Sequence, residues 1–237
     1  MTNGLAQRKY RLAVALAGTA GRNFGLPLLT LFAILVAVTA LIRANSNEIV
    51  DFTTVVLVLL PFAVIATSWG YLTKLLPRAI ALGMTRQEFL TGFALFGAMV
   101  VTGSVLLTQL IAVTDMQLFG LLEDDAVYGI GVIEATTRAS LYFTCGMFAG
   151  ALIVRCGGRM LGSVLTGLLV GTVLFREIAL QLTLAVFREL GARETDSVFD
   201  SAATQNLIAP LDTVLACVFA AAAALLILRA PMPAKRA

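Results

Sequence analysis

Residues 74–92 read KLLPRAIALGMTRQEFLTG and join two apolar blocks, residues 52–73 and 89–113, each long enough to cross a bilayer. Pro77 suits the first turn of a short helix, because its missing N–H would be unpaired there anyway, and Gly83 suits the cap that ends one. Thr85 is then placed to N-cap the next helix, with Glu88 three residues on completing a capping box. The spacing predicts a short helix over residues 77–83, held crosswise in a loop between two spans. A well-capped turn with no further role has the same signature.

Outward from this segment the pattern repeats. A span needs about 20 mostly apolar residues at 1.5 Å each, and residues 24–42, 133–154, 160–176 and 211–228 supply four more candidates. Pro61 falls inside the second span, where it removes one backbone donor. The whole chain of 237 residues is 59% hydrophobic and 13% charged, against about 45–50% and about 25% for a soluble domain. A water-soluble globule is excluded. The expected fold class is an all-α integral membrane protein, one transmembrane domain over residues 1–237 with six spans.

The net charge of +3 raises the question of a nucleic-acid partner, but the charges sort by membrane side instead. Twelve of the 17 Lys and Arg residues fall on the termini and on the second and fourth loops, and the remaining five on the other three loops. Both termini are therefore expected in the cytoplasm of a bacterial-type inner membrane, with no nucleic-acid partner. Residues 5–21 carry Arg8, Lys9 and Arg11 among leucines and read as a basic amphipathic helix lying on the inner leaflet. The chain has no histidine, which excludes Ser-His or Cys-His catalysis and imidazole metal sites. Cys145, Cys156 and Cys217 show no paired spacing and read as packing residues. No catalytic or metal-ligating residue is expected.

Ionisable residues beside the apolar blocks are functional candidates, because a charge at the bilayer centre costs about 2.5–3.5 kcal/mol on insertion scales. Glu134 and Arg138, four apart, share a helix face. Arg176 and Glu177 are adjacent, point apart and need other partners, of which Asp212 is one candidate. Interfacial anchoring and the shaping of an outer gate both fit these five. Beyond them residues 178–208 include an apolar stretch too short to span, read as outer-leaflet helices that dip back rather than as an extension of the fifth span. Small residues recur every four positions at Gly146 and Gly150, and at Ser163, Gly167 and Gly171, which lets helices approach closely. They are expected to pack within one bundle rather than across a dimer.

At residues 77–92 the sequence resembles the ABC-2 type membrane subunits of ABC transporters, whose first cytoplasmic loop carries a pattern like P-x-x-x-x-L-G-x-T-R-x-x-F-x-x-G. The matching positions are Pro77, Leu82, Gly83, Thr85, Arg86, Phe89 and Gly92. The layout is similar too: an N-terminal connecting helix, six spans, a coupling helix in the first cytoplasmic loop, and small outer helices before the last span. The resemblance implies that helix 77–83 docks into a groove on a cytoplasmic ATP-binding cassette subunit. Arg78 and Arg86 would supply charge contacts and Ile80 and Leu82 would fill the groove, with Thr85 and Glu88 shaping the turn. It also implies a second membrane subunit, in a homodimer or heterodimer within the lipid bilayer. The chain holds no G-x-x-x-x-G-K-[ST] loop, so ATP and magnesium would belong to the partner and no cofactor to this chain.

The expected function is that of a permease subunit, not an enzyme, exporting a hydrophobic or amphipathic compound by alternating access. A secondary transporter would want a broken helix repeated in two halves, and Pro61 has no later counterpart. A non-transporting membrane partner or immunity subunit would keep the fold without the coupling.

Overall fold

The computed structural model describes residues 3–45, 54–114, 131–156, 160–191 and 201–229, with side chains over 10–42, 55–114, 131–156, 160, 162–176 and 209–229. Among these the chain is helical apart from short turns. Helix α1 is Asn3–Ala20, followed by a π-helical turn Gly21–Gly25 and α2, Leu26–Asn45. Then come α3 (Thr54–Ala81), α4 (Arg86–Thr114), α5 (Val132–Cys156), α6 (Met160–Gly191) and α7 (Ser201–Leu228). Five helical stretches are long and apolar enough to cross a membrane: Tyr10–Ile42, Val55–Ala81, Arg86–Thr114, Val132–Cys156 and Ala209–Leu228. A shorter apolar stretch, Gly162–Arg176, opens α6. Large apolar side chains such as Leu29, Ile34, Leu41, Leu106 and Val214 are exposed along these helices, a surface that suits lipid. The chain is an all-helical protein of multi-pass membrane character.

The least apolar of the five stretches, α5, is the most deeply buried, and it packs against α3, α4, α6 and α7. Lipid-facing positions must be apolar, whereas positions facing other helices must fit; α5 buries Ala135, Ala139, Gly146, Ala149, Gly150 and Ala151 and so lets neighbouring backbones come close. A Cβ on Gly146 would lie 2.5 Å from the Ile65 carbonyl oxygen, and one on Gly150 would lie 2.9 Å from Leu72 Cδ2. These two glycines are the seam between α5 and α3, packed within one bundle as expected. The second small-residue stripe departs from expectation. Ser163, Gly167 and Gly171 are exposed on α6, and a Cβ on Gly167 or Gly171 would meet nothing within 4 Å.

One end of the bundle is filled by aromatic rings. Phe93 lies 5.5 Å from Phe96 and 5.6 Å from Phe143, and Tyr71 meets Phe96 edge-on at 5.6 Å. Each such pair contributes about 0.5–1.5 kcal/mol beyond its buried area. Ala13, Leu16 and Ala20 of α1 join this cluster, so the N-terminal helix packs on α4. A smaller cluster of Phe32, Val56, Leu107 and Ile111 ties α2, α3 and α4 together.

Three expectations are corrected. Residues 5–21 are not a helix separate from the first span: α1 runs through the π turn into α2 with both flanking residues, Ala20 and Leu26, helical. The π turn adds a residue and turns the buried face of α1 relative to that of α2. Residues 77–83 are not a separate crosswise helix, since α3 continues through Pro77 to Ala81. The reason lies in α3's buried stripe, Ile65, Ser68, Leu72, Leu76 and Ala79, which keeps helical spacing across the junction. Residues 178–191 do not form a helix separate from the preceding apolar stretch either. Residues 178–191 extend α6, residues 201–208 open α7, and residues 192–200 lie outside the described residues. No Gly or Pro interrupts residues 172–190, so nothing in the backbone stops the helix at Arg176.

Candidate functional site

The first candidate region is the turn between α3 and α4. The Gly83 N–H donates to the Ile80 carbonyl and the Met84 N–H to the Ala79 carbonyl, both at 3.0 Å, and Gly83 has φ +80°. This pair of bonds with a left-handed residue is a Schellman cap, which favours glycine at that position. Two residues later the Thr85 N–H donates to Glu88 Oε2 (2.9 Å) and the Glu88 N–H to Thr85 Oγ1 (3.2 Å), a complete capping box. Helix end and helix start are thus satisfied back to back, which fixes the reversal between α3 and α4.

The remaining residues of this region divide by exposure. Leu82 is 81% exposed, and Pro77, Arg78 and Gly83 are exposed with it. Ile80 is half-buried against the aromatic cluster. Phe89 and Gly92 are buried, and Arg86 turns inward: its Nη1 donates to the Leu228 carbonyl at 2.5 Å. Thr85, Arg86, Glu88, Phe89 and Gly92 therefore all have work inside the chain, while Pro77, Arg78 and Leu82 face outward.

The second region is two ion pairs, one on α5 and one between α6 and α7. Glu134 and Arg138 pair on one face of α5 at 2.5 Å. Arg176 of α6 pairs with Asp212 of α7, and Asp212 is 0% exposed. Asp212 and Arg176 each stand sixteen residues from the far end of their helix, about 24 Å at 1.5 Å per residue. Glu177 lies in α6, but its side chain is outside the described residues. A carboxylate buried this fully is tolerated only when paired, so the ion pair fixes α6 against α7 at this level.

Sequence reasoning missed a third feature. Besides Arg86, Arg155 at the end of α5 donates from Nη1 to the Arg229 carbonyl at 2.6 Å. The last carbonyls of a helix lack intrahelical donors, and α7 has no basic residue in its own last turn; arginines from two other elements fill the role. The sequence signal was present only as basic residues at the ends of two other spans. Among the described residues no three His, Cys, Asp or Glu side chains form a group fit to hold a metal ion.

No protein-family model, curated protein or solved structure matches this chain.

Proposed function

We propose that this chain is the membrane-spanning subunit of an ATP-driven transporter, similar to the ABC-2 type, that exports a hydrophobic or amphipathic compound. In this reading α6 is the fifth of six spans, both termini are cytoplasmic, and two membrane subunits pair above two copies of a separate ATPase. The observation that carries the reading is the α3–α4 turn, whose doubly capped backbone presents Leu82 on an exposed tip beside Pro77 and Arg78. An exposed leucine on a rigid turn beyond the membrane is a fitting anchor for a groove on a soluble partner. Closure of the ATPase pair around ATP would push on this turn, and the turn would tilt α3 and α4 together. At the opposite boundary the Glu134–Arg138 and Arg176–Asp212 pairs would form the outer gate, opening as the helices separate.

The test is to purify the tagged full chain in mild detergent and identify stoichiometric partners by mass spectrometry. Leu82→Asp with Arg78→Glu is the informative variant, because Arg86 is engaged within the fold and its loss would disturb α7. Recovery of an ATPase with the parent chain, and its loss from a variant that melts at the same temperature, supports the reading. Recovery of the chain alone under several gentle conditions overturns it and leaves a secondary carrier or a stand-alone membrane partner.

A further inference from the structure

Two polar contacts of α7 lie far apart on the same helix. The Leu228 carbonyl accepts from Arg86 Nη1 at 2.5 Å, and sixteen residues earlier the buried Asp212 pairs with Arg176 of α6. At 1.5 Å per residue about 24 Å of helix separates them. That stretch is stiff: residues 211–228 contain no Gly or Pro, and residues 220–224 are all alanine, the strongest helix former. Arg86 is the first residue of α4, directly behind the doubly capped turn, so its backbone moves with that turn.

Rigid helices carry coupling between sites when specific contacts grip them at both places. Both grips here are strong. A guanidinium donating to a carbonyl makes a charge-assisted hydrogen bond, and a buried carboxylate loses stability quickly when its cation moves away. Between the grips the buried stripe of α7 continues through Ala216, Ala223 and Ile227, mostly small side chains, and Phe219 meets Phe148 as a near-parallel stack with 15° between the rings. Such a seam permits the small sliding by which packed helices shift. We infer that Arg86 is a positioning residue that couples the α3–α4 turn to the Arg176–Asp212 pair through α7. Displacement of the turn pulls on the Leu228 end of the helix and alters the seam between α6 and α7 at the Asp212 end. The coupling belongs to the bundle itself and needs no ATPase, so it and the transport reading fail separately.

Spin labels on Phe175→Cys and Val214→Cys, in the full chain with Cys145, Cys156 and Cys217 replaced by alanine, read the separation of α6 and α7 beside the ion pair by electron paramagnetic resonance. Both positions are exposed and accept a label. Arg86→Gln is expected to shift or broaden this distance, and Arg86→Lys, which keeps a cationic donor, to retain the parental one. Gly146→Ala strains the seam between α3 and α5 instead and is expected to leave the distance unchanged, which separates coupling from general loosening. A parental distance in Arg86→Gln, or an equal change in Gly146→Ala, overturns the proposal. Reversible unfolding in mixed micelles supplies a second measurement. Changes more than about 10 Å apart ordinarily multiply in their effect on the unfolding constant to within about twofold. Arg86→Gln combined with Arg176→Met is expected to fall about tenfold short of the product of the single effects, because either change alone already breaks the link. A product that holds to within about twofold overturns the coupling.

Discussion

Replacing Arg176 by Met leaves the Asp212 carboxylate buried beside α6 without the guanidinium that offsets its desolvation. The expected loss of stability is about 3–5 kcal/mol, read as a lowered melting temperature in detergent. Arg176→Met combined with Asp212→Leu removes both charges and is expected to recover most of that loss, since apolar replacement of a whole buried pair is often neutral. Under the transport function proposed above, the same double variant separates a structural latch from a gate: restored melting with restored transport marks a latch, and restored melting without transport marks a gate. At this scale the sequence was legible where spacing decided the contact, as for Glu134 and Arg138, four residues apart on one helix. The Arg176–Asp212 contact joins residues 36 positions apart on two helices, and single-sequence spacing gives such a pair only as one candidate among several.

The elements show the same division between local and distant causes. The Gly83 cap and the Thr85–Glu88 box were readable because each depends on a few adjacent residues. Pro77 misleads because the cost of an interior proline is local, whereas the gain from keeping Leu76 and Ala79 on α3's buried stripe depends on a core cluster built by several helices. For α6 the charges at Arg176 and Glu177 suggest a boundary, although helix continuity depends on breakers and residues 172–190 contain no Gly or Pro. The two small-residue stripes look alike in sequence and differ in what faces them. Gly146→Ala is expected to destabilise by about 1–3 kcal/mol, because its methyl group meets Ser68 and the immobile Ile65 carbonyl. Gly167→Ala meets open space and is expected to be neutral or to stabilise by up to about 1 kcal/mol. Thermal unfolding of both in the same detergent gives the comparison directly.

For the whole molecule, the division of Lys and Arg residues between the loops predicts that both termini face the cytoplasm. Reporter fusions at each end, active only in the cytoplasm, are both expected to be active. Activity at one end alone would require an odd number of crossings and would remove α6 as a span. Composition and hydropathy were sufficient for the all-helical, multi-pass character, because twenty apolar residues in a row have few other uses. They were silent on which helix lies in the middle, because burial among helices selects for size and fit and not for greasiness, as α5 illustrates.

The contacts of α7 also carry an order of events. Helices leave the ribosome from the N-terminus onward, and α7 is the last of the described helices to be made. Until it arrives, Arg86 and Arg155 have no α7 carbonyls to donate to, and Arg176 has no carboxylate across the seam. Three cations on three separate elements thus await one late segment, which closes the bundle at both ends as it docks along α5. Biogenesis of this protein accordingly has a natural last step: the docking of α7 engages side chains on three earlier helices at once.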